Sequence, residues 1–447
     1  MKDDPSSKRN DLPHIFDRRG VYYGWVVLLA GTVGIIMSVP GQTMGVSIYT
    51  DPLLTSLHMS RVDLSMAYML GTFGSALLLP FVGRLLDSVG SRAVAVFAAL
   101  GLAFWLVFLS FSPSISARLG SWTHLSPRWA GAIVAFVGFL GIRHFGQGEL
   151  TIASRTMMGR WFERRRGLVL GISGLFVAFG FGVAPLVLNR LILRFGWERS
   201  LETLALGSCG MALFAWITFR KSPEACGLEI DGKTAVENLQ AGIEDEISFT
   251  AGEARKTVAF WAFNLGMAAH AMLYTAITFH MERIAQLNHM SNAKAFSVFL
   301  PVAIVSTTAD LLGGAISDWI PLKYLLLVMQ LGLCLGLMGA RSYGTTRGFL
   351  LTAVGFGLGN GLFSLLSSAA WPKLFGREHL GAISGFNMSW VVAGSAVGPY
   401  LFSLGDSWTG SYRTILLFSL VIPVGVLIAS LFATAPARER ARFEVSN

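Results

Sequence analysis

The chain has 447 residues, 53% of them hydrophobic and only 14% charged, with a mean hydropathy of +0.58. A water-soluble domain carries roughly 25% charged residues because its outside faces water, so this composition excludes an ordinary soluble protein and points to lipid as the solvent. The net charge of +9 then reads as positive charge in loops at a membrane face, and no nucleic-acid partner is expected.

The first twenty residues, "MKDDPSSKRNDLPHIFDRRG", are polar and form a tail (1–20). The apolar run that follows is too long for the core of a cleaved leader and reads as a membrane span. A spanning helix needs about 20 mostly apolar residues, and twelve runs qualify: 21–49, 64–86, 93–111, 130–154, 168–193, 201–219, 258–282, 295–317, 324–340, 348–372, 380–404 and 412–433. They are continuous, without the apolar/polar alternation of a barrel strand, so the spans are helices. One long polar interval, 220–257, divides them six and six. It contains "SPEACGLEIDGKTAVENLQAGIEDE", too poor in apolar residues to build a core. Thr250 and Glu253 have capping-box spacing, which predicts a short helix leading into span seven. The chain therefore reads as an all-α polytopic membrane protein: bundles at 21–219 and 258–433, a linker at 220–257 and a tail at 434–447.

The segments on the N-terminal side of the membrane hold about twice as many Lys and Arg as the opposite loops, which places both termini in the cytoplasm. Trp25, Trp129, Trp197, Trp319 and Trp408 fall near span ends, as interface anchors do. Cys209, Cys226 and Cys334 show no metal-ligand or redox spacing. "GFGLGNG" mimics a nucleotide fingerprint but sits inside an apolar span, without the strand-turn-helix setting such a loop needs. No metal, cofactor or ATP-driven step is expected.

The polar residues inside spans are the informative ones, because an intramembrane charge costs ~3 kcal/mol or more and so lines a cavity or finds a partner. In span four, "RHFGQGELTIASR" follows a strongly apolar run. Arg143 lies about halfway along it, with Gln147 one α-turn later on the same face. A guanidinium at that depth can take a carboxylate bidentately; the alternative is a structural arginine neutralised by another helix. Glu149, six residues on, need not share that face. His144 points about 100° away from Arg143, and packing and proton transfer are both open to it. In span seven His270, Tyr274 and Thr278, spaced by four, form one polar stripe. His270 is a proton-coupling candidate or a hydrogen-bonded structural histidine; His280 lies off the stripe. Asp310 in span eight has no local base, which suits proton coupling or a hydrogen bond to a neighbouring helix. Asn360, Asn387 and Trp390 are candidate lining residues of a second-bundle cavity.

The halves repeat. "GRLLDSVGSR" after span two has Gly83, Asp87 and Arg92 at the offsets of Gly314, Asp318 and Lys323 in "GAISDWIPLK" after span eight. "WFERRRGLVLGISG" is echoed by "LFGREHLGAISG". Glycine lets helices pack closely, and an Asp87–Arg92 charge-assisted bond can bridge helix ends, either as a gate or as a static cap.

These residues resemble the major facilitator superfamily, whose signature Gly-x-x-x-Asp-x-x-Gly-x-Arg is matched by Gly83, Asp87, Gly90 and Arg92. The resemblance implies two parallel six-helix bundles of inverted three-helix repeats with a substrate path between them. It also implies a cytoplasmic gate in which Glu149 joins Arg92, with Arg155 in the same region. More narrowly, "YYGW", "RHFGQG" and "WFERRRGLVLG" are similar to bacterial relatives of monocarboxylate and oxalate/formate transporters. Two positions depart from that pattern. Asp310 lacks the arginine four residues on, where Gly314 stands, and the lysine of span one falls at Gln42. The expectation is a secondary transporter working by alternating access on a small organic anion with protons. Arg143, Gln147, Gln42, Tyr274, Asn360, Asn387 and Trp390 would contact the substrate, with His270 and Asp310 for coupling. A proton-driven exporter of hydrophobic compounds is the alternative, and a transporter-like receptor a more remote one. An enzyme would need converging nucleophiles or metal ligands, whereas these polar groups scatter at mid-depth. The expected setting is a plasma or bacterial inner membrane, with the chain acting as a monomer.

Overall fold

In a bilayer every backbone N–H and C=O needs an internal partner, so each long apolar run should close its own hydrogen bonds as a helix. The computed structural model describes residues 22–162, 166–226, 228, 249–317, 319–376 and 380–433. Among the described residues the regular structure is entirely helical. Contacts divide the chain into two compact units, one of residues 1–59 and 70–242, the other of residues 60–69 and 243–447.

In the first unit, α1 (Gly24–Met37) does not continue as the single span expected over 21–49. It gives way to a 3-10 turn, Val39–Gly41, followed by short helices α2 (Thr43–Ser47) and α3 (Thr50–Ser56). Pro40 is the cause, since it has no N–H to donate and its ring collides with the preceding turn. Next come α4 (Arg61–Val89), which counts with this unit from residue 70 onward, α5 (Ser91–Ser110), α6 (Ser112–Thr123) and α7 (Pro127–Ile142). A π-helical segment, Arg143–Leu150, runs on into α8 (Thr151–Trp161), then α9 (Arg166–Phe195) and α10 (Trp197–Thr218). Helix α6 occupies what the sequence reads as a loop; its "SPSISARLGSW" is too polar to register as a span. Within this unit α5 lies along α10, and α1 packs on α8, α9 and α10.

The "YYGW" opening clamps three helix ends. Tyr22 donates to the Trp161 carbonyl at 2.8 Å and Tyr23 to the Thr218 carbonyl at 2.8 Å. Their rings meet Phe162 edge-on and Trp161 at a tilt, and the Arg220 guanidinium covers Tyr23 at 5.6 Å.

In the second unit, α11 (Ala251–Ala254) starts on the predicted capping box, with Thr250 and Glu253 bonding reciprocally. Then follow α12 (Val258–Phe279), α13 (Met281–Leu287), α14 (Asn292–Phe296), α15 (Phe299–Ile316), α16 (Leu322–Arg341), α17 (Thr346–Phe375), α18 (Leu380–Thr409), α19 (Tyr412–Ser419) and α20 (Val421–Leu431). Helix α13 runs from the end of span seven into the interval after residue 282 that the sequence reads as loop. Helix α16 lies along α17, α12 along α18, and α15 along α17. The α16–α17 contact is backbone on backbone: a Cβ on Gly355 would stand 2.2 Å from the Gly336 nitrogen. Phe260, Phe263, Met267, Leu326, Met329, Trp371 and Phe375 fill the core beside it.

Four glycines among the described residues, Gly90, Gly196, Gly376 and Gly410, hold φ of +86°, +82°, +77° and +65° where one long helix stops. A side chain there would be strained, so the second glycine of the signature, Gly90, is a backbone requirement. Ten helical runs among the described residues are long and apolar enough to cross a membrane. The other two expected spans form α12 and α18, which carry the buried polar residues Asn264, His270 and Asn387.

Candidate functional site

Arg143 stands close to the middle of the 35-residue run Pro127–Trp161 and is 1% exposed. Its Nε donates to Thr72 Oγ1 at 3.2 Å, and Nη1 donates to the Gly41 carbonyl at 3.1 Å and reaches Thr43 Oγ1 at 3.5 Å. The break at Pro40 is what makes this possible. Gln42 is extended (φ −85°, ψ 157°), so the Gly41 carbonyl is turned away from helical pairing and offered to the guanidinium. The approach is close: a Cβ on Gly41 would lie 2.2 Å from the Ile142 carbonyl oxygen and 2.8 Å from the Gly146 Cα.

Gln42 itself turns elsewhere, donating to Ser38 Oγ at 3.0 Å and reaching Thr151 Oγ1 at 3.4 Å. Gln147 is half-buried on the π segment.

The π segment makes a contact that the sequence of "RHFGQGEL" leaves open. Spacing by 3.6 separates His144 from Glu149, and the resemblance pairs Glu149 with Arg92. A π turn bonds residue i to i+5, and five residues separate His144 from Glu149. The His144 Nε2 sits 3.1 Å from Glu149 Oε1, with both side chains largely buried. Arg92 instead donates from Nε to the Phe219 carbonyl at 2.9 Å and lies 5.9 Å from the Trp216 ring. Arg155, expected in the same gate, is exposed. The surroundings of Gly83, the Asp87 side chain and the whole of Asp318 lie outside what the structure describes. Lys323 is half-buried beside the Tyr324 ring at 5.6 Å. Gly314 leaves ordinary room, with Leu365 3.9 Å from a built Cβ, while its neighbour Gly313 is the tight one at 2.8 Å. Sequence reasoning passed over Lys373, which donates to the Ser317 carbonyl and hydroxyl at 3.3 and 3.1 Å. The echo around "LFGREH" was its only signal.

In the second unit the His270 stripe forms as spaced. The imidazole, 2% exposed, stacks on Tyr274 at 5.8 Å and 8° and on Phe363 at 5.2 Å and 28°. Its Nε2 pairs with Asn360 Oδ1 at 2.9 Å. Gly359, from the glycine-rich run, makes room for it: a Cβ there would stand 2.7 Å from His270 Cε1. Asn387 donates to Asn264 Oδ1 at 3.0 Å. Neither Asn264 nor the buried Gln330, which bonds the Gly266 carbonyl at 3.3 Å, was singled out in sequence. Asp310, expected as a buried acid, is half-buried and accepts from Ser364 at 3.4 Å. Trp390 is 40% exposed and meets Trp261 edge-on at 5.7 Å.

These observations describe two polar centres, one in each unit, set into membrane-spanning helices. The profile of the Major Facilitator Superfamily matches residues 31–399. The chain belongs to the Major Facilitator Superfamily. It is thus a multi-pass membrane protein of a transporter family, not an enzyme family. Over 347 residues it is 25% identical to an MFS-type transporter of Gibberella moniliformis, covering 76% of this chain and 74% of that one. Over 260 residues it is 22% identical to Monocarboxylate transporter 14 of Homo sapiens, covering 57% of this chain and 46% of that protein, so the match spans about half the human protein's length. Among solved structures, a bacterial homologue of the human lysosomal transporter Spinster, in an inward-facing and unoccupied conformation, superimposes with a TM-score of 0.63. That superposition covers 93% of this chain and 96% of the other at 14% identity, which speaks to the fold.

Proposed function

We propose that this superfamily member is a secondary transporter that moves a small organic anion with protons by alternating access. The observation that carries the reading is Arg143, a guanidinium buried at mid-span and held by Gly41, Thr43 and Thr72. Guanidinium remains protonated in proteins, and its planar fork matches a carboxylate. The named relatives include a monocarboxylate transporter, in keeping with that chemistry. Gln147 on the π segment and Gln42 are proposed polar contacts for solute in the first unit, and Tyr274, Asn360, Asn387 and Trp390 are proposed polar and aromatic contacts for solute in the second. His270 and Asp310 are proposed proton carriers, and Arg92, Glu149, Arg155 and Lys323 the charges that reorganise as the site changes sides. Both termini are proposed to face the cytoplasm of a cell membrane, with the monomer as the working unit.

The test is uptake of radiolabelled formate, lactate, pyruvate and oxalate into proteoliposomes, with and without an inward proton gradient. At least one carboxylate should accumulate with the gradient. Arg143→Lys should lower its transport by roughly 10- to 100-fold, the equivalent of about 1.5–3 kcal/mol for a lost charged hydrogen bond, while the protein still inserts. Normal flux in that variant would reduce Arg143 to packing, and movement of hydrophobic cations instead would turn the reading to an exporter.

A further inference from the structure

We infer that His144 and Glu149 form a proton-binding site in the first unit, assembled by the π register of Arg143–Leu150 and taken apart when that segment winds as an α-helix. The inference rests on the proposed proton-coupled anion carrier and adds a proton site on the same segment as the anion-binding arginine.

Three observations carry it. First, the contact is between two titratable groups: His144 Nε2 lies 3.1 Å from Glu149 Oε1, with the side chains 12% and 4% exposed. Second, each partner keeps one buried polar atom without a hydrogen-bond partner among the described residues, Nδ1 of His144 and Oε2 of Glu149. A buried polar atom left in this way calls for an explanation, and an unfilled proton position is one. Third, the pair depends on helix register. Residues five apart face each other across a π turn, whereas at about 100° per residue an α-helix would set them roughly 140° apart.

The described side chains in contact with the segment include apolar and neutral groups. Phe145 stands edge-on to the imidazole at 5.1 Å, and Gly101, Leu102 and Phe97 of α5 and Leu79 and Ser75 of α4 close around the segment. The elements packed against it carry the following charges. Arg143 begins the segment itself, Arg61 and Asp63 stand at the start of α4, Arg128 at the start of α7, and Arg155 and Arg160 lie on α8; α4 also carries Arg84 and Asp87, whose side chains lie outside the described residues. Arg92 lies at the start of α5 and is bound to the Phe219 carbonyl. The 3-10 turn and α1 carry none.

The mechanism is an exchange of partners. With Glu149 ionised, the imidazole N–H donates to the carboxylate and the π turn is pinned. A proton arriving at Glu149 Oε2 removes the charge that this bond relies on, so the side chains can separate and the turn can rewind. An anion placed at Arg143 brings negative charge to the same segment and favours that proton. By linkage the proton favours the anion equally, which is the thermodynamic content of symport.

The experiment is an infrared pH titration of the purified full-length protein in phospholipid nanodiscs, with no solute added, following the carboxylic C=O stretch. Wild type should show a titrating band that Glu149→Gln removes. His144→Gln should keep the band and shift its midpoint by about one pH unit, a tenfold change in proton affinity. If Glu149→Gln fails to insert, the midpoint in His144→Gln decides alone. An identical titrating band in wild type and variants overturns the site, whatever carboxylate flux shows. The expected band with no carboxylate moved in the uptake panel leaves the proton site standing and removes the anion reading.

Discussion

Gly359 and Asn387 show how single atoms set the second unit. The His270 ring fills the space a Gly359 side chain would need, and stacking by Tyr274 and Phe363 leaves the ring nowhere to go. Gly359→Ala should therefore cost about 1–3 kcal/mol by overpacking, read as a lower melting temperature in detergent. Gly425, with no atom within 4 Å of a built Cβ, should behave oppositely, gaining about 0.5–1 kcal/mol on substitution by Ala through helix propensity. Asn387→Ala strands the buried Asn264 oxygen and should cost about 1–3 kcal/mol. Replacing both asparagines with Leu should cost less than the single change, because no polar atom is left unpaired. A larger loss in the double variant would contradict that account. At this scale the sequence was half legible. Spacing by four exposed the His270–Tyr274 stripe, but no local pattern announces that Asn387 would meet Asn264, a contact between positions 123 residues apart.

The elements that shape the first centre are the turn at Pro40 and the π segment, and each needs the other. The turn frees the Gly41 carbonyl for Arg143, and the π segment presses its backbone onto Gly41. The nearest atoms to a Gly41 Cβ belong to backbone, so no rotamer can relieve the clash. Gly41→Ala should therefore lose about 3 kcal/mol and, with the Arg143 anchor displaced, transport as well. Intact transport with an unchanged melting temperature would show that the turn can move aside. The proline is readable in sequence as a helix breaker, whereas the π register is not. Period 3.6 is the default face rule for any helix, and nothing in "RHFGQGEL" marks the extra residue in the turn. The sequence commits Glu149 to no face and leaves His144 open, so their contact is what the π register adds, whereas the depth of Arg143 needs only its position along the run.

At the scale of the molecule, apolar run length located the long helices among the described residues to within several residues, because lipid leaves the backbone no other option. The same measure could not see α6 and α13, which are helical without being apolar enough to span. The asymmetry of Lys and Arg makes a prediction at this scale. In a bacterial host, a fluorescent protein fused to the C-terminus should fluoresce, and alkaline phosphatase at the same place should be inactive. The reverse pattern would invert the topology.

The tyrosine clamp has a consequence for how the chain is made. Tyr22 must wait for a partner 139 residues away and Tyr23 for one 195 residues away. During synthesis, α1 therefore enters the bilayer long before the groups that fix its end exist. Contacts between such distant positions form late, and the chain must emerge past Thr218 before Tyr23 can bond. A ribosome stalled just short of α10 should hold a nascent chain whose first helix is inserted but still open to protease at its tyrosines, and extension through Arg220 should close it.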